Sequence, residues 1–195
     1  MVLPNGVDTS LFYPDYDINN NNLKVLFVAS LEKEKGLDML LPLIDRFKND
    51  RRIEFNIAGG GTMEKQISSR KHINYHGILN DDDLAKLYRE CDIFIYPSHF
   101  DSYSLVILQA LASGLYVICS DYFKGKFDEF GDSYLEYLPL SIETFYNRIN
   151  KIIQDKRIIY HNKQEEFEYI KNNYSWEIIS KDFYDYMTKF YNEYK

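Results

Sequence analysis

The stretch YPSHFDSYSLVILQALASGLYVICSD, Tyr96–Asp121, decides the fold. It reads as the end of a buried strand, a polar turn, an amphipathic helix and a second buried strand. Asp101 stands in the turn, and Gln109 follows it by eight residues, two helical turns into the helix. The two strands are continuous apolar runs rather than alternating ones. Strands of that kind belong in a parallel sheet covered on both faces.

The same grammar extends in both directions. Upstream, LKVLFVAS (Leu23–Ser30), RIEFNIA before the triple glycine Gly59–Gly61, INYHGIL and DIFIYP each read as a buried strand. Between them lie helical patterns. Leu37, Leu40, Leu41, Ile44 and Phe47 recur at helical spacing, with Pro42 inside the pattern and a kink expected there. TMEKQISSRK predicts a short helix. Asn80 followed by Asp81–Asp83 predicts a capped start for a helix reaching about Glu90. From Ser141 the pattern turns helical, with segments over Ser141–Asp155, Ile158–Asn173 and, after a Ser175 cap, Trp176–Tyr194. The fold class expected is α/β: a Rossmann-like open parallel sheet with helices on both faces and further C-terminal helices. One domain is expected, with residues 1–22 as a linker segment ending in the Asn19–Asn22 loop, 23–140 as the α/β core and 141–195 as the helical tail.

Composition excludes several functions. A chain of 195 residues with a net charge of −7 has no general attraction for nucleic acid or an anionic membrane. No apolar run approaches the ~20 residues of a membrane span, and no signal peptide is expected. Cys91 and Cys119 fall in or beside apolar strands, which predicts free buried thiols. His72 and His76 flank one predicted strand, where residues four apart stand about 13 Å apart, so they do not share a metal. No metal motif occurs anywhere in the sequence. The aromatic last helix, with Trp176, Phe183, Tyr184, Met187 and Phe190, reads as packing, or as a partner surface if exposed.

In open parallel sheets, ligands bind beyond the C-terminal ends of the strands. Three loops there carry chemistry. Ser30–Gly36 holds Lys33 and Lys35. Gly59–Gly61 lets a backbone come close to a ligand. Ser98–Ser104 leads into a helix whose free N–H groups suit an anion. Together they suggest a phosphate-bearing ligand. His99 stands in the third loop, within reach of a phosphate or sugar, while Tyr96 and Pro97 read as structural.

In their order these blocks resemble the C-terminal half of a family 4 retaining glycosyltransferase with the GT-B fold. VLPNGVDTSLFYP resembles the segment that enters this half, VLFVASLEKEKG the strand and loop with the family's Arg and Lys, and FNIAGGG its glycine loop. DSYSLVILQALASGLYVICSD resembles the donor-binding turn and helix with two glutamates, and YSWEIISKDFYDYM the final helix. The resemblance implies a metal-independent hexosyltransferase using a UDP-, GDP- or other nucleotide diphosphate sugar, with no further cofactor. It implies a cytoplasmic location, at most peripheral to a membrane through the full-length enzyme. The acceptor-binding N-terminal domain or subunit would be the missing partner, so the isolated chain is expected to bind donor and transfer little.

Carried over by position, Lys35 and Asp101 are the catalytic candidates. Ser30, Lys33, Gly60, Gly61, His99, Tyr103, Ser104, Leu105 and Gln109 are the donor-binding ones. Several depart from the family pattern. Ser30 stands where the arginine belongs. Asp101 keeps the first acid on a shorter stem. Gln109 turns the second into an amide that can still hydrogen-bond a ribose diol. Ser102 and Ser104 replace glycines. Each lost charge-assisted contact is worth roughly 1.5–3 kcal/mol, and Lys33 is the candidate replacement cation. The alternative functions are a non-catalytic nucleotide-sugar-binding module or partner subunit, and an unrelated doubly wound domain.

Overall fold

A computed structural model describes residues 4–16, 21–102, 104–131, 133–160 and 162–193. Tyr103, Asn19 and Asn20, the first residues of VLPNGVDTSLFYP and the expected last residue of the final helix, Tyr194, lie outside them. The chain alternates strand and helix as expected: β1 (Leu23–Val28), α1 (Leu37–Arg46), β2 (Ile53–Ala58), α2 (Glu64–Ser68), β3 (Ile73–Gly77), α3 (Asp81–Arg89), β4 (Ile93–Tyr96), α4 (Leu105–Ala112) and β5 (Tyr116–Ser120). A sixth strand, β6 (Leu135–Leu138), follows. Then come α5 (Ile142–Gln154), α6 (Lys163–Tyr174) and α7 (Trp176–Glu193).

The strands form one parallel sheet in the order β3-β2-β1-β4-β5-β6. This is the doubly wound order in which the winding reverses between β1 and β4. Every residue of β4 and β5 is buried, as a sheet covered on both faces requires. The helices form two groups: α1 packs on α5, while α4 packs on α3 and α6. The core between the layers is aliphatic and aromatic, including the chain of rings Tyr88, Phe94, Tyr96, Phe123 and Phe127.

Local chemistry explains the boundaries. The Asn80 side chain accepts a hydrogen bond from the Asp83 N–H at 2.9 Å, capping α3. α1 runs through Pro42 as one continuous helix. β6 was not anticipated. Its sequence, LEYL, is short, and only its two ends are buried, so it lacks the apolar run that marks the four central strands; β3, expected to be buried, is an edge strand in which only Ile73 is buried. The residues expected to begin a helix at Ile158 instead form a 3-10 turn over Lys156–Ile159.

The final helix corrects an expectation. Trp176, Phe183, Tyr184, Met187 and Phe190 do not pack into the core; all five are exposed, as is every residue from Ser180 to Glu193. Only the first turn is anchored. Val7 donates to the Tyr174 carbonyl at 2.8 Å, and Trp176 donates to that of Val7 at 3.3 Å, tying the N-terminal segment to the α6–α7 junction. No described helix is long and apolar enough to cross a membrane.

Candidate functional site

The winding reverses between β1 and β4, and sheets of this kind bind ligands in the crevice beyond the C-terminal strand ends at that point. The loop after β1 makes a 3-10 turn over Lys33–Lys35 and ends at Gly36 with φ 86°. A β-carbon there would lie 2.0 Å from the Pro97 carbonyl oxygen. Only glycine therefore lets this loop close against the end of β4. Two bonds complete the closure: the His99 N–H and the Ser98 hydroxyl both donate to the Glu34 carbonyl, at 3.0 and 3.1 Å. From the other side the buried Ser120 hydroxyl, at the end of β5, donates to the Ser98 carbonyl at 2.6 Å.

Asp101 lies at the centre of the joined loops. Its Oδ2 accepts from the Tyr96 hydroxyl at 2.7 Å and from Lys35 Nζ at 3.0 Å. Lys35 and Asp101 side chains are 25% and 17% exposed, so the pair is shielded but reachable. Burial works against the carboxylate, yet the hydrogen bonds from Tyr96 and Lys35 outweigh it and hold Asp101 below its ordinary range. Burial, reinforced by the Asp101 charge, pushes the Tyr96 phenol up, so Tyr96 remains a donor. A second ammonium approaches the same residue from the loop after β5. Lys126 Nζ donates to the carbonyls of Asp101 and Ser102 at 2.9 and 3.3 Å and lies 4.0 Å from the Tyr122 ring centroid.

The glycine loop forms the third wall. Leu31 donates to the Gly60 carbonyl at 3.0 Å, and the Tyr75 hydroxyl to that of Gly59 at 2.9 Å. The Glu32 carboxylate accepts from the Thr62 N–H at 2.9 Å and from its hydroxyl. These bonds pull Glu32 below the ordinary carboxylate range. The β1 and β2 loops are thus stitched together beside the crevice. α4 starts at Leu105, directly after the Asp101 turn, so its first amides lie at the same sheet edge, where a helix N-terminus favours an anion.

A model of the family described as glycosyl transferases group 1 matches residues 11–174. The chain belongs to the glycosyl transferases group 1 family. Among curated relatives, an uncharacterized glycosyltransferase of Methanocaldococcus jannaschii is 28% identical over 110 residues, 53% of this chain and 28% of its own. The chain spans about a third or less of the first curated relatives it matches. The solved C-terminal domain of a glycosyl transferase group 1 family protein from Francisella tularensis superposes with a TM-score of 0.69 and 22% identity, over 88% of this chain and 100% of that one. HepE from Anabaena, solved with UDP and glucose, gives a TM-score of 0.77 at 17% identity, over 96% and 56%. The sheet and helices of this group 1 domain match the GT-B architecture of such enzymes.

Within the group 1 domain, the residues singled out from sequence fare differently. Lys35 and Asp101 meet. Gly60 and Gly61 form the adjoining loop. Ser104 is buried at the N-cap position of α4 without a side-chain cap, and Leu105 opens the helix, partly exposed. Gln109 is half-buried, with Oε1 3.5 Å from the Tyr88 hydroxyl. Ser30 and Lys33 are exposed, and among the described residues the side-chain cations hydrogen-bonded to the turn are Lys35 and Lys126. His99 is tied to α1 through Asp38, with Nε2 2.8 Å from Oδ1. The other histidines are separate: His72 contacts Asp45 and His76 contacts Asn56. Both cysteines are free and buried, and burial pushes their thiols up. Sequence reasoning missed Lys126. The signal was the basic pair Lys124 and Lys126 just after a predicted strand, on the sheet edge where the other three loops were sought.

Proposed function

We propose that this chain is the C-terminal, donor-binding half of a family 4 retaining glycosyltransferase. It moves a hexose-type sugar from a nucleotide diphosphate sugar to an acceptor held by a second α/β half. The observation that carries this reading is the Lys35–Asp101 pair at the reversal point of the sheet, beside the start of α4.

The chemistry follows from that placement. As the bond to the sugar breaks, negative charge builds on the leaving diphosphate. A fixed ammonium and the α4 amides stabilise that charge without a metal. The phosphate takes Lys35 from Asp101, and the freed carboxylate then accepts from hydroxyls of the sugar. Tyr96 keeps it aimed during the exchange. The Gln109 amide serves the ribose. The Anabaena neighbour with UDP and glucose supports this class of donor. The enzyme works in the cytoplasm, at most peripheral to a membrane. The other half supplies the acceptor site and the cover for α7, and the isolated chain binds donor without transferring it.

The experiment is calorimetry of the 195-residue chain against UDP, GDP and their sugars, with and without a chelator. Binding is expected to persist in chelator, and Lys35→Ala to weaken it by about ten- to a hundredfold. No binding to any nucleotide at millimolar concentration would overturn the proposal. Exposed Ser30 and neutral Gln109 favour a second reading, a binding module without catalysis. Transfer restored by adding the N-terminal half excludes it.

A further inference from the structure

The donor reading leaves the site short of charge. Lys35 is neutralised by Asp101, Ser30 offers no cation, and Lys33 is exposed with no hydrogen bond or ion pair to the turn among the described residues. A nucleoside diphosphate brings at least two negative charges into this crevice. Building on the proposed function, we infer that Lys126 is the second diphosphate-binding cation of the site. It acts from the β5 side of the turn rather than the β1 side.

Three observations carry this. First, Lys126 and Lys35 converge on one residue from opposite loops: Lys35 on the Asp101 carboxylate, Lys126 on its carbonyl. Second, the partners of Lys126 are two neutral carbonyls and the faces of Tyr122 and Phe123. Among the described residues it forms no ion pair. Its positive charge is therefore uncancelled, and two of its three N–H donors are spent on acceptors that a phosphate oxygen outcompetes. Third, the loop that presents it is fixed. The Lys126 N–H donates to the Phe123 carbonyl at 2.9 Å, and the Gly125 N–H to Asp128 Oδ1 at 2.9 Å, while Phe123 and Phe127 on either side are fully buried. The ammonium is thus held at the crevice by its own backbone, not by a salt bridge that a ligand would have to break.

The test compares the wild-type chain with Lys126→Gln and Lys126→Arg, titrated with UDP and with uridine, alongside the thermal midpoint of each unliganded protein. The expected result is a loss of UDP affinity of about tenfold or more in Lys126→Gln, largely restored in Lys126→Arg, which keeps the charge. Uridine affinity should be unchanged across all three. Equal UDP affinity in wild type and Lys126→Gln would overturn the inference while leaving the donor site standing. Equal losses for UDP and uridine would also overturn it, because they would mean that Lys126 only shapes the turn. A wild-type chain that binds neither UDP nor any other nucleotide defeats the donor reading itself, and the inference with it. If Lys126→Gln does not fold, Lys126→Met takes its place and the same comparison decides.

Discussion

At the scale of single residues, the Asp101 carboxylate is held by two side chains, the neutral donor Tyr96 and the cation Lys35, beside the Ser102 backbone, and the two side chains can be separated. Its carboxyl is depressed in the folded chain. It therefore contributes stability above the ordinary aspartate value of about 3.9, and that contribution is lost as pH falls through the lowered folded value. Asp101→Asn should accordingly melt below wild type at pH 7, and the gap should close below about pH 4. A gap that stays constant over that range would mean that charge plays no part. Tyr96→Phe removes a hydrogen bond to an ionised group in a shielded site and should cost about 1–2 kcal/mol in chemical denaturation. It should also raise the Asp101 pKa, readable by carbon-detected NMR of the carboxyl. The sequence disclosed Asp101 and Lys35 because both stand at motif positions. It did not disclose the roles of Tyr96 and Lys126. Tyr96 reads as one more apolar residue ending a strand, and Lys126 reaches the turn from 25 residues away, a contact that no periodicity records.

At the scale of elements, the site depends on how closely the β1 loop sits against the end of β4. Gly36 sets that distance. Gly36→Ala combines a left-handed backbone with a β-carbon 2.0 Å from the Pro97 oxygen. It should cost about 2 kcal/mol or more and weaken nucleotide binding by pushing Lys35 away from Asp101. Unchanged binding would show that the Lys33–Lys35 turn is not part of the site. Asn80→Ala removes the side-chain cap of α3 and should cost about 1 kcal/mol in chemical denaturation. The four central strands, β1, β2, β4 and β5, were legible because each is mostly apolar and buried. The two edge strands lack that run: β3 buries only Ile73 and was placed by its position between two helical patterns, while β6, with only its two end residues buried and no such frame, was not seen. The Arg148–Glu136 pair at 2.6 Å, with Tyr116 beside it, spans β5, β6 and α5. It is a polar tie that no hydrophobic pattern could announce.

At the scale of the whole molecule, α7 is anchored at its start, through Trp176 and Ile179, and exposed beyond it. Its 18 residues extend about 27 Å, but beyond Ile179 none is buried. Phe183, Met187 and Phe190 recur at i, i+4 and i+7 on one face, and they are 51%, 46% and 46% exposed. Periodicity shows which side of a helix is apolar, not what covers it, so the sequence pattern alone read as core. A helix of this length without tertiary contacts is marginal in water. Amides from about Phe183 onward should therefore exchange with solvent far faster than those of α4, whose helix is anchored in the core. Adding the proposed N-terminal half should slow them. Replacing Phe183, Met187 and Phe190 together with serine should change unfolding free energy by less than about 0.5 kcal/mol, since exposed side chains contribute little to folding. The same change should reduce self-association and hydrophobic-dye binding, because it dissolves an exposed apolar patch. A triple variant that melts well below wild type would place this face inside the fold rather than on its surface.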